Sequence, residues 1–288
     1  CVSNSSNSVT SGNSWYLDAI CDEWCAMDQD DYESVMPLPT KKKLGMPVVD
    51  QPFFSRDLRI YLNRQLDQRL VDMYFEKIPK VYKHILFGTD LTEELLPSGF
   101  KMERYRYQVL DLNKSYESIF DVYSKNAKRL FKKSDGLDLN VQNLLPEEVV
   151  EMFREGRGSK LDDFGEDEYG RLLQLMKACL EYDKGVSIGV FTPQNKLCAA
   201  AFFIKDSNSI FYLKGGANDI GRKIGGMYIL FDQMIRQHAN SSIILDFGGS
   251  NIESVATFYK KFGSIDRYYY LLSKGPFHKL RKISSLLR

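Results

Sequence analysis

Net charge is what this 288-residue sequence has least of. Lys and Arg total 39 against 38 Asp and Glu, which leaves +1. No global field therefore favours nucleic acid or an anionic membrane, and any such binding must rest on a local patch. Long apolar runs are missing as well. No stretch approaches the ~18 residues of a membrane span, and no basic-then-apolar leader opens the chain. The sequence starts at Cys1 rather than Met, so it is expected to be trimmed, and its start says nothing about localisation. Histidine is scarce: His84, His238 and His278 lie outside every candidate loop and read as structural or exposed. Cysteine is scarce too. Cys1, Cys21, Cys25, Cys179 and Cys198 are odd in number and scattered. Cys21 and Cys25 have no second Cys/His pair nearby to complete a zinc site, so no metal is expected. Reduced thiols in a reducing, cytoplasmic setting are the expectation.

What is present is ordinary globular composition, 43% hydrophobic and 27% charged, with room for two domains of roughly 100–200 residues. Apolar spacing predicts helices over 15–24 and 64–77, strands over 23–36 and 45–49 around a turn-rich Pro37–Lys43, and strands over 82–87 and 101–112. A boundary near Leu112 divides an N-terminal domain, 1–112, from a C-terminal one, 113–288. In the second, 116–133, 146–155 and 166–182 read as helices. Val186–Thr192, Lys196–Lys205 and Ser209–Lys214 read as an antiparallel meander. A loop, a helix over 225–239, a strand over 243–247, a helix over 252–262 and a strand over 268–272 follow, with a last helix over 276–288. This order describes an α/β chain with a mixed sheet of the α+β kind, not a doubly wound one.

Gly221-Arg222-Lys223-Ile224-Gly225-Gly226 precedes the 225–239 helix. Glycines let a ligand approach the backbone, and unpaired first-turn amides favour an anion. Arg222 and Lys223 add charge, while Asp219 opposes it. A solvated glycine-rich turn is the plain alternative. Lys125, Lys128, Arg129, Lys132 and Lys133 fall on one helical face with no carboxylate at i+4 to relieve them. Such a face is either solvated or a stripe for RNA phosphates. Lys41-Lys42-Lys43 reads as a turn. Asp246 ends the 243–247 strand beside Gly248 and Gly249, where it is a candidate catalytic carboxylate or a helix cap. Tyr259 could protonate a leaving group, or be a core aromatic between Phe258 and Phe262. Gly248-Gly249-Ser250 is not a nucleophile elbow, since no glycine stands two residues after Ser250.

Arg222 and Gly225 match the acyl-donor loop of GNAT acyltransferases, with Met227 where Gly or Ala is expected. Tyr259-Lys260-Lys261-Phe262-Gly263 matches the Tyr-x-x-x-Gly that closes a later GNAT helix, with Ser264 in place of an aromatic. Leu245-Asp246-Phe247-Gly248-Gly249-Ser250 with Phe258–Gly263 resembles the C-terminal half of Fem-type aminoacyl transferases. So do Trp15–Ala19, Val35–Pro39 followed by Lys41–Lys43, and Tyr123–Arg129. In order, these pieces span most of the chain.

The resemblance implies two tandem GNAT-like folds of the acyl-CoA N-acyltransferase type, the N-terminal one degenerate. It implies transfer of an acyl or aminoacyl group to an amine, from acyl-CoA or aminoacyl-tRNA as co-substrate and with no tightly bound cofactor. The acceptor would be a small-molecule or cell-wall-precursor amine, and tRNA a partner for the basic face. Donor phosphates would meet Arg222, Lys223, Gly225 and Gly226. Lys43 and Ser250 would contact substrate, Lys43 and Arg222 as the candidates for a nucleotide-sugar pyrophosphate. The alternative is a GNAT-fold binding or scaffold protein whose donor site has decayed.

Overall fold

A computed structural model describes residues 2–134, 136–161, 164–249 and 252–275. It divides into two compact units: the first runs to Arg106 and resumes at Tyr268, and the second is Tyr107–Arg267.

The first unit opens with α1 (Ser14–Ile20), β1 (Glu23–Gln29), β2 (Ser34–Lys43), β3 (Met46–Val49) and the short β4 (Tyr61–Leu62). α2 (Gln68–Lys77), β5 (Ile85–Thr89) and the start of β6 (Lys101–Asp111) follow. The sheet order is β1-β2-β3-β5 and then the C-terminal strand Ile265–Lys274, with β4 beside β2. All pairs are antiparallel except β3 with β5. Asp67 starts α2 by accepting the Leu70 amide at 2.8 Å. The helix buries Leu70, Val71, Tyr74 and Phe75, its 3.6-residue stripe.

Pro37–Lys43 is strand, not turn. Pro39 faces Trp24 on β1, and its carbonyl accepts from Asp50 on the other side. In an antiparallel strand a residue's nitrogen and carbonyl point the same way. Both prolines, two residues apart, therefore aim their missing donors at the stretch of β2 between β4 and β3, where the ladder has a gap. Lys41, Lys42 and Lys43 pair with Val48, Pro47 and Met46. Lys41 also forms an ion pair with the buried Asp50.

The second unit holds the rest of β6, then α3 (Tyr116–Asp121), α4 (Lys125–Ser134), β7 (Asn140–Asn143), α5 (Pro146–Glu155) and α6 (Glu166–Glu181). β8 (Gly185–Phe191), β9 (Leu197–Lys205) and β10 (Ser209–Ala217) form the expected antiparallel meander. α7 (Asp219–Ile224), α8 (Gly226–His238), β11 (Ile244–Gly249), α9 (Glu253–Lys260) and β12, the strand Ile265–Lys274 already met, complete the order. The sheet runs β6-β11-β10-β9-β8-β7, with β10 and β11 parallel. It is mixed, as the pattern of elements predicts.

The predicted 116–133 helix is two helices. Ser124 breaks it: its amide donates to the Lys261 carbonyl and its hydroxyl accepts from the Ala127 amide, so it caps α4 instead of continuing α3. β7 was not foreseen, because Asn-Val-Gln-Asn carries no apolar alternation. The core centres on Phe231 of α8, whose ring lies 4.9–5.9 Å from those of Tyr212, Phe203, Phe247, Tyr259 and Phe262. Asp232, the next residue, is buried and accepts hydrogen bonds from Tyr116 and Tyr123, both at 2.9 Å, and from Arg236 at 2.7 Å. That network ties α3 to α8. The expected helix over 276–288 and His278 lie outside the described residues. Among the described residues no helix is long and apolar enough to cross a membrane.

Candidate active site

A parallel strand pair normally keeps its register to the end of the shorter strand. β10 and β11 do not. They pair at Ser209/Ile244, Ile210/Leu245 and Phe211/Asp246, and then stop, although β10 runs on to Ala217 and β11 to Gly249. An irregularity on each strand causes the parting. β10 gains one residue against β9 between Tyr212 and Lys214, leaving Leu213 as the bulge. β11 gains one against β6 between Asp246 and Gly249. The buried Asp246 holds the second bulge by accepting the Gly248 amide at 2.9 Å, with Gly248 at φ +81°, an angle that favours glycine. Two adjacent strands bulged at the same level open the sheet and leave backbone polar groups without a ladder.

The bulge on β10 also changes which face its side chains take. Tyr212 points to the α8 and α9 side, its ring 4.9 Å from Phe231 and 6.5 Å from Tyr259. Lys214, two residues on, would share that face in a regular strand. Instead its Nζ lies 5.5 Å from the ring of Phe153 on α5. Burial, and then the charge of Arg157, lower the Lys214 amine from 10.5 to about 8. Burial, and then the Asp246 carboxylate, push the Tyr259 phenol up, with Arg157 acting in the opposite direction. Arg157, exposed where the chain leaves α5, is therefore close enough to act on both. Tyr212 is raised by burial and by Tyr259. The sequence-predicted Asp246, at the bulge of β11, and Tyr259 are thus linked through the charge of Arg157 to Lys214 beside the bulge of β10; sequence reasoning missed Lys214 and Arg157. The available signal was a lone lysine directly after the apolar run 210–213 and before Gly215 and Gly216.

The glycine-rich segment folds differently from the loop expected. Residues 219–224 form α7, because Asn218 caps it, accepting the Gly221 amide at 3.0 Å, and Asp219 pairs with Arg222 one turn later. Gly221 permits the turn to sit against β9, since a Cβ there would meet the Cys198 carbonyl at 1.9 Å. Gly225 ends α7 and caps α8 with φ +79° and ψ +36°. Arg222 and Lys223 therefore lie in the last turn of α7, both exposed, and not in the first turn of α8. Arg222 also donates to the Ala217 carbonyl at 2.6 Å. Gly225 and Gly226 are buried; Gly226 lets α8 approach β9, where a Cβ would come within 2.6 Å of Ala199. Lys43 closes β2 in the first unit. Ser250 lies outside the described residues.

α4 buries Ala127 and packs Leu130 and Phe131 on the core, with Leu130 beside Gly225. Its basic face is turned outward: Lys125, Arg129, Lys132 and Lys133 are exposed, and Lys128 donates to the Asp121 carbonyl at 2.9 Å. Among the described residues none of the five forms an ion pair.

No protein-family model and no curated protein sequence matches the chain. Solved structures do. FemX superposes with a TM-score of 0.69 at 12% identity over 93% of both chains. A conserved protein of unknown function from Bacteroides thetaiotaomicron gives 0.61 at 10% identity, over 91% of this chain and 90% of that one. L-PGS from Bacillus licheniformis gives 0.54 at 12%, over 91% of this chain and 87% of that one. Likeness at such identity is likeness of fold: the chain has the mixed α/β fold expected from the sequence, and that fold is similar to the fold of FemX.

Proposed function

We propose that the chain is an N-acyltransferase in which an amine attacks the carbonyl of a bound acyl donor directly, with no covalent enzyme intermediate. The observation that carries this is the parting of β10 from β11 after Phe211 and Asp246. Backbone beyond that point stands outside the β10–β11 ladder, where amides aimed at an oxyanion would stabilise it without reorganisation. The Tyr259 phenol, held protonated by burial and by Asp246, is suited to give its proton to a leaving thiolate or alkoxide. Asp246 shapes the opening through Gly248.

The donor is a phosphate-bearing ester or thioester, aminoacyl-tRNA or acyl-CoA. The α7–α8 junction with Arg222, Lys223, Gly225 and Gly226 is its proposed phosphate contact. α4 itself lies next to that junction, with Leu130 against Gly225 and its basic face outward, so a donor that reaches both would be a long polyanion such as tRNA. One observation favours a second reading, a binding protein with a decayed donor site: Asp219 already neutralises Arg222. Transfer assays and thermal shift with acetyl-CoA, CoA and an alanine-charged tRNA decide between them. A donor of the enzyme raises the melting temperature by mass action and yields amide product. Stabilisation without product supports the binding protein, and neither effect with any donor defeats the proposal.

A further inference from the structure

Lysine is among the costliest side chains to bury, and a strand facing an apolar layer is an unusual place for one. Lys214 is in that place only because of the bulge at Leu213. Without the extra residue its side chain would follow Tyr212 into the Phe231 cluster. With it, Nζ reaches the α5 side, 5.5 Å from the Phe153 ring, beside its cross-strand partner Phe202 and near Arg157. A bulge that re-aims one side chain beside an opened strand pair is a recurrent device at active sites.

We propose that Lys214 is the general base of the transfer, taking the proton that makes the acceptor amine a nucleophile. This rests on the acyltransferase reading above. An acceptor arrives as an ammonium ion, which has no lone pair. Neutral Lys214 removes one proton, leaving the acceptor as R–NH2. Its nitrogen bonds to the acyl carbon, and the bond from that carbon to the leaving sulfur or oxygen breaks. The electron pair departs with that atom, which takes a proton from Tyr259. Tyr259 regains one from the nitrogen as the amide forms. Net, one proton passes through Lys214 to solvent and one ends on the leaving group.

The surroundings favour the neutral amine. Arg157 opposes a second positive charge on Lys214, and the buried Asp246 carboxylate of β11 is engaged by the Gly248 amide. The titratable group from α9 on the same cation is Tyr259, a phenol kept neutral. β9 contributes the apolar Phe202, while the Phe153 ring of α5, 5.5 Å from Nζ, acts in the other direction as a cation–π partner. The amine titrates near 8, close to the operating range where a base is most effective. An ordinary lysine would be almost wholly protonated there.

The test compares wild type, Lys214→Met and Lys214→Arg. Acetyl-CoA and alanine-charged tRNA serve as donors, with free lysine and glycinamide as acceptors. Melting is checked in each variant. Both substitutions are expected to lower kcat roughly 10²- to 10⁴-fold, the usual weight of a general base, with donor KM little changed. The wild-type rate should rise through a limb near pH 8 that both variants lack. Independently, pulse acetylation of the wild type by acetic anhydride, read by mass spectrometry, should place the titration of Lys214 near 8. Wild-type transfer with full activity and an unchanged limb in Lys214→Met would overturn the inference and leave the acyltransferase standing. Rescue by Lys214→Arg, which keeps the charge but cannot deprotonate, would also overturn it. No transfer by the wild type from either donor defeats both readings together.

Discussion

Removing Lys214 should make the protein more stable, by an amount that depends on pH in a way no other contact here reproduces. The folded amine titrates at about 8 against 10.5 for a free lysine. Below pH 8 both the folded and unfolded chains carry the charge, and the folded one bears the full penalty of holding it. Above 10.5 both are neutral and the penalty is gone. Between those values the unfolded chain binds more protons, so wild-type stability rises with pH. The difference corresponds to about 3 kcal/mol, and partial exposure of the side chain lowers it to ~1–3 kcal/mol. Lys214→Met keeps the length and the contact with Phe153 but has nothing to titrate. It is expected to be the more stable protein at pH 7, with the gap closing as pH climbs from 8 to 10.5. Urea unfolding of both proteins at pH 7, 8, 9 and 10 measures the gap, and every other titrating group cancels in the difference. A gap constant with pH, or a wild type more stable at pH 7, would show that the Lys214 charge is well compensated in the fold and would refute the reasoning.

Gly225→Ala should cost about 1–2 kcal/mol in thermal or urea unfolding, because the residue sits at φ +79° where a Cβ strains the backbone; Gly225→Val, also in contact with Leu130, should cost more and reduce transfer with it. Asp232→Asn should destabilise by roughly 1–3 kcal/mol, since it weakens the acceptor shared by Tyr116, Tyr123 and Arg236, and near-neutral urea curves would show α3 to be held otherwise. Reversing Lys128 and Arg129 to glutamate should weaken tRNA binding and flatten its log–log salt dependence; filter binding at several salt concentrations reads this, and an unchanged slope would return the face of α4 to solvent.

The sequence carries the parts of this fold that repeat with a period. The meander β8–β10, the stripe of α2 and the start of α5 at Pro146 are all written as apolar spacing or caps, and each stands within a few residues of where that spacing places it. What it conceals are departures from period. A strand that gains a residue at Leu213 has the same alternation as one that does not until the neighbouring strand is known, so the face taken by Lys214 is a property of the β9–β10 register and not of local sequence. Pro37 and Pro39 read as turn formers because the gap they face on β2 is made by β3 and β4. Gly221 and Gly225 read as one loop, although Gly221 lies inside α7 for the sake of Cys198 and Gly225 ends it by its own backbone angle. The resemblance to Fem-type sequences ran through Asp246 and Tyr259 and pointed to the end of β11 that carries the bulge. It did not reach Lys214, whose orientation is set by the bulge of β10 at the level where β11 is bulged too. Irregularities are the part of a fold least visible in its period, and here those of β10 and β11 fall beside each other, just past the last paired residues Phe211 and Asp246.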